Sequence, residues 1–199
     1  MKTSYLIKEF KKTVTQRFPE KSEHLITVFF ERLATLRKEN SGASKEKQRH
    51  LEGQILPGIA IYETLKTVVP KDEALQTVHG YTEQHARKMR KVLLALMHIP
   101  GLYRKVPEIF AAQTRKMFGE KAGFSAREIQ TDGGVWRIDM IKCPYRDMCV
   151  HYGCPELCRC FCDSDDISYS NLHPKLYWHR TKTLGRGDNL CNFCLKIKE

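Results

Sequence analysis

Side chains that could carry out chemistry are concentrated in the last third of the chain. All 8 cysteines lie between Cys143 and Cys194, and none occurs earlier. The densest group is the run Gly-Cys-Pro-Glu-Leu-Cys-Arg-Cys-Phe-Cys-Asp at 153–163. Because thiolates and carboxylates serve as nucleophiles, general bases or metal ligands, this part of the sequence predicts a functional site.

A helix predicted over 155–167 would bring two of these cysteines to one face. Cys158 and Cys162 are four residues apart, so they differ by only about 40° around a helix. Asp165 lies about 60° from Cys162, which lets a carboxylate face the same pocket. The competing interpretation is that both cysteines are small packing residues, since free cysteine is among the most buried residue types.

Arg180 is the cation most relevant to this group. In a strand predicted over 175–183 it alternates in phase with Trp178 and points to the apolar face. A guanidinium there needs an anionic partner, because an unpaired buried charge is costly. Asp165 or Asp166 could supply the partner, and so could a substrate carboxylate, which arginine binds with two hydrogen bonds.

Metal binding is an alternative use of the cysteines. Cys191 and Cys194 form a CxxC pair, but in a strand predicted over 190–198 they point to opposite faces and cannot chelate one ion. A zinc ion or an iron–sulfur cluster remains open as an alternative to a metal-free site. The four cysteines that could hold it are Cys143, Cys158, Cys162 and Cys191.

The elements that must position these side chains predict an α+β fold. Residues 1–122 form a helical half, and residues 123–199 form a cysteine-rich half in which one helix interrupts a small antiparallel sheet. Apolar spacing, together with the positions of proline and glycine, predicts helices over 4–18, 22–39, 46–68, 70–97, 105–118 and 155–167, and strands over 124–130, 135–142, 175–183 and 190–198. Pro57 predicts a kink or a restart in the third helix.

Composition restricts the class of partner. The net charge is +11, and residues 1–122 hold 23 Lys and Arg against 13 Asp and Glu. These charges are dispersed around helices, so solvated faces are favoured over nucleic-acid binding. No apolar run approaches the ~20 residues that span a bilayer, and the N-terminus lacks a signal peptide's apolar core. We therefore expect a cytoplasmic protein with reduced cysteines and no membrane partner.

The chain resembles the family of L-2-amino-thiazoline-4-carboxylic acid hydrolases. The ordered set that carries the resemblance is Cys143, Gly153, Pro155-Glu156-Leu157, Phe161-Cys162, Asp165, Pro174, Leu176, Arg180-Thr181-Lys182-Thr183-Leu184, Gly187 and Cys191-Asn192-Phe193. The segment 56–62 resembles a part of the family's N-terminal half. Dense matching is confined to 143–193.

The resemblance implies hydrolysis of a cyclic isothiourea. Water is added at ring carbon C2, the C–S bond breaks, and N-carbamoyl-cysteine results. Either Cys162 attacks C2 as a nucleophile or Asp165 acts as general base on the water. Glu156 or Asp166 is expected to protonate the leaving atom.

The expected substrate contacts are Arg180, which would bind the carboxylate, together with Cys191 and Thr183. A small-molecule substrate without a cofactor is therefore the first hypothesis. The alternative is a sensor or binding domain that holds a small molecule, zinc or an iron–sulfur cluster without turnover. Whether the chain forms a homo-oligomer stays open.

Overall fold

A computed structural model describes residues 4–130 and 133–198 of the chain. Its helices and strands confirm the α+β class, with a helical N-terminal half followed by a small sheet. The helices are α1 Tyr5–Arg17, α2 Ser22–Glu39, α3 Lys45–His50, α4 Leu56–Leu65, α5 Lys71–Leu96, α6 Val106–Met117, α7 Pro144–His151 and α8 Cys158–Tyr169. The strands are β1 Ser125–Gln130, β2 Val135–Lys142, β3 Leu176–His179 and β4 Cys191–Ile197.

The helix predicted over 46–68 is divided by a π-helical turn, Leu51–Ile55, between α3 and α4. Pro57 explains why the regular pattern breaks here, because proline has no N–H to donate to the carbonyl four residues earlier. That carbonyl belongs to Gly53, and it accepts a hydrogen bond from Ser4 Oγ at 2.7 Å instead. The predicted interruption is confirmed, and the start of α1 supplies the missing donor.

The four strands form one antiparallel sheet in the order β1-β2-β4-β3. Within β4, Cys191 lies opposite Met140 of β2 and is buried, whereas Cys194 on the other face is half-buried. In the β1–β2 turn, Gly133 and Gly134 have positive φ, which glycine adopts without side-chain strain. The sequence predicts a hairpin turn over 131–134, and the first two of these residues lie outside the described residues.

The largest hydrophobic core joins the helical half to the cysteine-bearing segment. Phe10, Phe29 and Tyr62 are fully buried in it, together with Leu157 and Phe161 from the second half of the chain. A second cluster packs α6 against the sheet. It contains Val106, Ala111, Trp136, Ile138, Leu176 and Leu195.

Helix α8 is held closely against the helical half. A Cβ atom added at Gly58 would lie 2.6 Å from Phe161 Cζ, so α4 approaches α8 where no side chain intervenes. On α5, His79 contacts Asp163 at 3.2 Å, and the Leu75 carbonyl accepts a weak hydrogen bond from Cys160 at 3.9 Å. These contacts fix the rotation of α8 about its axis.

None of the described helices combines the length and the apolar character needed to cross a membrane.

Candidate functional site

Arg180 follows β3 directly, and its side chain reaches the middle of α8. The side chain is 1% exposed. Its guanidinium donates to Asp166 Oδ2 at 2.6 Å, to Asp165 Oδ2 at 3.3 Å and to the Cys162 carbonyl at 2.8 Å. The phase predicted for Arg180 therefore brings it to both aspartates, and these carboxylates supply the anionic partner that a buried guanidinium requires.

The two aspartates differ in how tightly they are held. Asp166 also accepts a hydrogen bond from Trp178 Nε1 at 2.8 Å, so both of its oxygens have partners. Among the described residues, Asp165 accepts only the longer bond from Arg180, through one of its two oxygens. Asp166 is thus a fixed anchor for Arg180, while Asp165 keeps acceptor capacity for another group.

The environment of Asp165 weakens it as an acid. Packing of protein atoms around the carboxylate raises its pKa to about 6, and the neighbouring negative charge of Asp166 acts in the same direction. The Arg180 guanidinium opposes both effects but does not cancel them. A carboxylate with a pKa near 6 is ionised at neutral pH and still accepts a proton readily, as a general base must.

Cys162 lies one turn from Asp165 and beside a second thiol. The sulfur atoms of Cys158 and Cys162 are 4.0 Å apart. A Cβ atom at Gly185 would be 2.6 Å from Cys162 Sγ, so the 3-10 turn Leu184–Arg186 packs directly on the sulfurs. The hydrogen bond with Cys158 and burial raise the pKa of Cys162, and Arg180 lowers it only in part. The side chain is therefore a neutral thiol at pH 7.

The other predicted ligand thiols lie close to this pair. Cys191 Sγ accepts a hydrogen bond from the Leu184 N–H at 3.2 Å, and burial raises its pKa to about 11. Burial raises the pKa of Cys143 to about 12, with added effects from Cys162 and Cys191. In the described parts of the chain, no three His, Cys, Asp or Glu side chains are arranged to hold a metal ion.

Glu156 stands apart from the Arg180 group. It lies in the 3-10 turn Pro155–Leu157, where its Oε1 accepts hydrogen bonds from Tyr62 at 2.6 Å and from Lys71 at 2.9 Å. Burial tends to raise its pKa, but the bonds from Tyr62 and Lys71 outweigh burial and lower it. Both contacts are with the helical half, so the structure does not bring Glu156 to Cys162 or Asp165.

Two buried donors in the segment that follows β3 have no hydrogen-bond partner among the described residues. They are Arg180 Nε and Thr183 Oγ1, and the Thr183 residue is only 4% exposed. Buried polar groups normally have partners, so such atoms mark places where water or a ligand group can bind. Three of the predicted residues, Cys162, Asp165 and Arg180, thus converge, and Thr183 and Cys191 lie on the adjoining loop and strand.

The sequence model of one family, described as L-2-amino-thiazoline-4-carboxylic acid hydrolase, matches residues 48–195. The chain belongs to this family. The resemblance inferred from the sequence is therefore confirmed. The matched range includes α8, Arg180 and Cys191. No curated protein and no solved structure matches the chain.

Some residues that shape this hydrolase-family site were not predicted. The close approach of Gly185 to the sulfurs was missed because it depends on how the 184–186 turn packs on α8. Helix α7 was also missed. It buries Met148 and Cys149 in the largest hydrophobic core. The anchoring of Asp166 by Trp178 has no signal in the sequence.

Proposed function

We propose that the protein hydrolyses a small cyclic isothiourea of the 2-amino-thiazoline-4-carboxylate type, with Asp165 as general base. The observation that carries the proposal is the unequal pair of aspartates, one anchored and one available, beside a buried arginine. Membership of the hydrolase family supports the reaction class. The partner in this proposal is a small-molecule substrate.

The proposed reaction conserves atoms without a further reactant. Asp165 removes a proton from water as the water oxygen bonds to ring carbon C2 and the π electrons of the C2=N bond pass to the ring nitrogen. Asp165 delivers this proton to that nitrogen, which gives a neutral tetrahedral intermediate with a hydroxyl group on C2. Asp165 then removes the hydroxyl proton as the C=O bond forms and the C–S bond breaks; the electron pair of the C–S bond passes to sulfur, which receives the proton from Asp165. The product is an N-carbamoyl thiol, and Asp165 is again a carboxylate.

Arg180 has a different role in this proposal from the one expected from sequence. Two carboxylates already neutralise its guanidinium, so it positions Asp165 and offers only Nε to a bound molecule. Thr183 Oγ1 is a second free buried group that a substrate or its water could contact. Cys191, held by Leu184, would form part of the wall.

Cys162 serves better as a wall of the site than as its nucleophile. Its raised pKa leaves little thiolate at neutral pH, and a thiol is a far weaker nucleophile than a thiolate. Glu156, fixed by Tyr62 and Lys71, holds the segment before α8 rather than transferring a proton to the leaving atom.

Thiol release from L-2-amino-thiazoline-4-carboxylate tests the proposal. We expect Asp165→Asn to lower kcat/KM by at least about a hundredfold, as loss of a general base does, and Cys162→Ala to lower it far less. Asp147→Asn on α7 is the matched control and should retain activity, since the Asp147 side chain has no hydrogen bond or ion pair with the described residues. Loss of activity in Cys162→Ala with retention in Asp165→Asn would reverse the assignment.

A binding domain without turnover is the second candidate. The unpartnered Arg180 Nε and Thr183 Oγ1 favour a bound small molecule, whereas no three of the described His, Cys, Asp or Glu side chains, including Cys143, Cys158, Cys162 and Cys191, are arranged to hold a metal ion. Metal analysis and an absorption spectrum of anaerobically purified protein distinguish the two. Stoichiometric zinc or an iron–sulfur band, without thiol release by the wild type, would establish the binding domain instead of the hydrolase.

A further inference from the structure

A cavity of about 310 Å³ lies at the π-helical turn, away from the aspartates of α8. The start of α1, the end of α3, the end of α6 and the start of α7 enclose it. Its lining includes His50 and Tyr145 but none of Cys162, Asp165 and Arg180. Neither the proposed reaction nor its substrate contacts use this cavity.

The π-helical turn explains why there is space here. Because Pro57 cannot donate to Gly53, the chain widens at Leu51–Ile55, and the hydroxyl of Ser4, at the start of α1, donates to the freed carbonyl. Gly53 contributes no side chain, and a Cβ added to it would meet nothing within 4 Å. π-Helical turns occur frequently at functional sites.

Charge at the cavity is positive. Arg49 and Lys116 line it from α3 and α6, and neither makes a hydrogen bond or an ion pair with the described residues. Glu46 is the one carboxylate in the described lining. Two cations without partners beside a concave surface favour a bound anion, and arginine is well suited to a carboxylate.

The walls of the cavity are aromatic and their hydrogen bonds are fixed. His50 Nε2 donates to the Met117 carbonyl at 2.8 Å, so its Nδ1 is the acceptor for the Tyr145 hydroxyl at 3.2 Å. Burial and the charge of Arg49 lower the pKa of His50, which keeps the ring neutral. Tyr5 and His85 also line the cavity, as a parallel stack with ring centroids 3.8 Å apart. Flat walls of this kind suit a planar ring.

From the cavity, its unpaired cations and its aromatic walls, we propose that this is a binding site for a small planar carboxylate. Arg49 and Lys116 hold the carboxylate, and the aromatic side chains contact the ring. The site is separate from the proposed hydrolytic centre and does not depend on that activity.

Calorimetric titration of the full chain with benzoate, a planar carboxylate unlike the proposed substrate, tests the site, with the neutral benzamide as the matched probe. We expect saturable binding of the carboxylate and binding at least about tenfold weaker for the amide, because charge-assisted hydrogen bonds are lost. The double variant Arg49→Gln, Lys116→Gln should weaken carboxylate binding by a similar factor. Lys91→Gln with Lys105→Gln removes two exposed charges elsewhere and should not.

A second variant tests the location without changing charge. Gly53→Phe should fill the cavity and abolish binding, whereas Gly42→Phe, at an equally open position in a loop, should leave it intact. Absence of saturable binding by the wild type would overturn the proposal. It would also be overturned if Gly53→Phe and the double charge variant bound normally, or if Asp165→Asn alone abolished binding, because the probe would then occupy the α8 site.

Discussion

Two regions of the cysteine-rich half each hold a carboxylate against a basic side chain, yet the pKa of one carboxylate is raised and the pKa of the other is lowered. At the middle of α8, crowding by protein atoms raises the pKa of Asp165 to about 6 despite Arg180. At the turn before α8, hydrogen bonds from Tyr62 and Lys71 overcome burial and lower the pKa of Glu156. The comparison shows that residue type alone does not identify which carboxylate can act as the general base. The number of hydrogen-bond donors around each carboxylate does, because each donor stabilises the ionised form and lowers the pKa.

The largest effect on stability is expected from replacing the basic partner of the aspartates, Arg180, rather than Lys71, the basic partner of Glu156. Arg180→Met should destabilise the fold by about 3 kcal/mol, because it removes a buried cation from two carboxylates that remain partly solvated. Lys71→Met should have little effect, since Lys71 is an exposed partner of Glu156. Urea denaturation of both variants measures this difference. Equal midpoints would show that Arg180 and Lys71 contribute equally to stability.

The next largest effect on stability is expected where the 184–186 turn packs on the sulfur atoms of Cys158 and Cys162. Gly185→Ala introduces a Cβ atom 2.6 Å from Cys162 Sγ and should cost about 1–3 kcal/mol, as overpacking commonly does. Gly42→Ala has open space around its Cβ and should be neutral or slightly stabilising. Thermal unfolding compares them. A neutral Gly185→Ala would mean that the 184–186 turn can move away from α8.

The opposite pKa shifts predict which carboxylate controls the pH dependence of activity. If Asp165 is the base, kcat/KM should fall about tenfold per pH unit as the pH decreases below about 6, since the protonated carboxyl cannot accept a proton. Glu156→Gln should leave this acidic limb in place because Glu156 stays ionised to lower pH. If the fall of kcat/KM at acidic pH disappeared in Glu156→Gln, Glu156 and not Asp165 would be the general base.

Much of the fold could be predicted because its signals are local. Apolar residues four apart located α1 and α2, and alternation placed Cys191 and Cys194 on opposite faces of β4. Pro57 marked the interruption because a missing N–H is a property of one residue. The π-helical form of that interruption needed the donor from Ser4, which is 49 residues distant in sequence.

The candidate site was predictable only in part. Phase along β3 and α8 brought Arg180 to Asp165 and Cys162, as the spacing indicated. Periodicity could not reveal that Glu156 is bound by Tyr62 and Lys71, because those partners come from the helical half. Nor could it rank Asp165 above Asp166, since the ranking depends on the indole of Trp178.

The hydrogen bond from Tyr62 gives the smallest effect and the sharpest test of how Glu156 is held. Tyr62 is fully buried, and Tyr62→Phe removes its hydroxyl without enlarging or reducing the hydrophobic core appreciably. The variant should lose about 0.5–1.5 kcal/mol of stability, the usual net value of one hydrogen bond. Activity should be unchanged, because Asp165 and Arg180 do not contact this bond. Urea denaturation and thiol release measured on the same preparation separate the outcomes: a stable but inactive Tyr62→Phe would give Glu156 the catalytic role and leave Asp165 with a structural one.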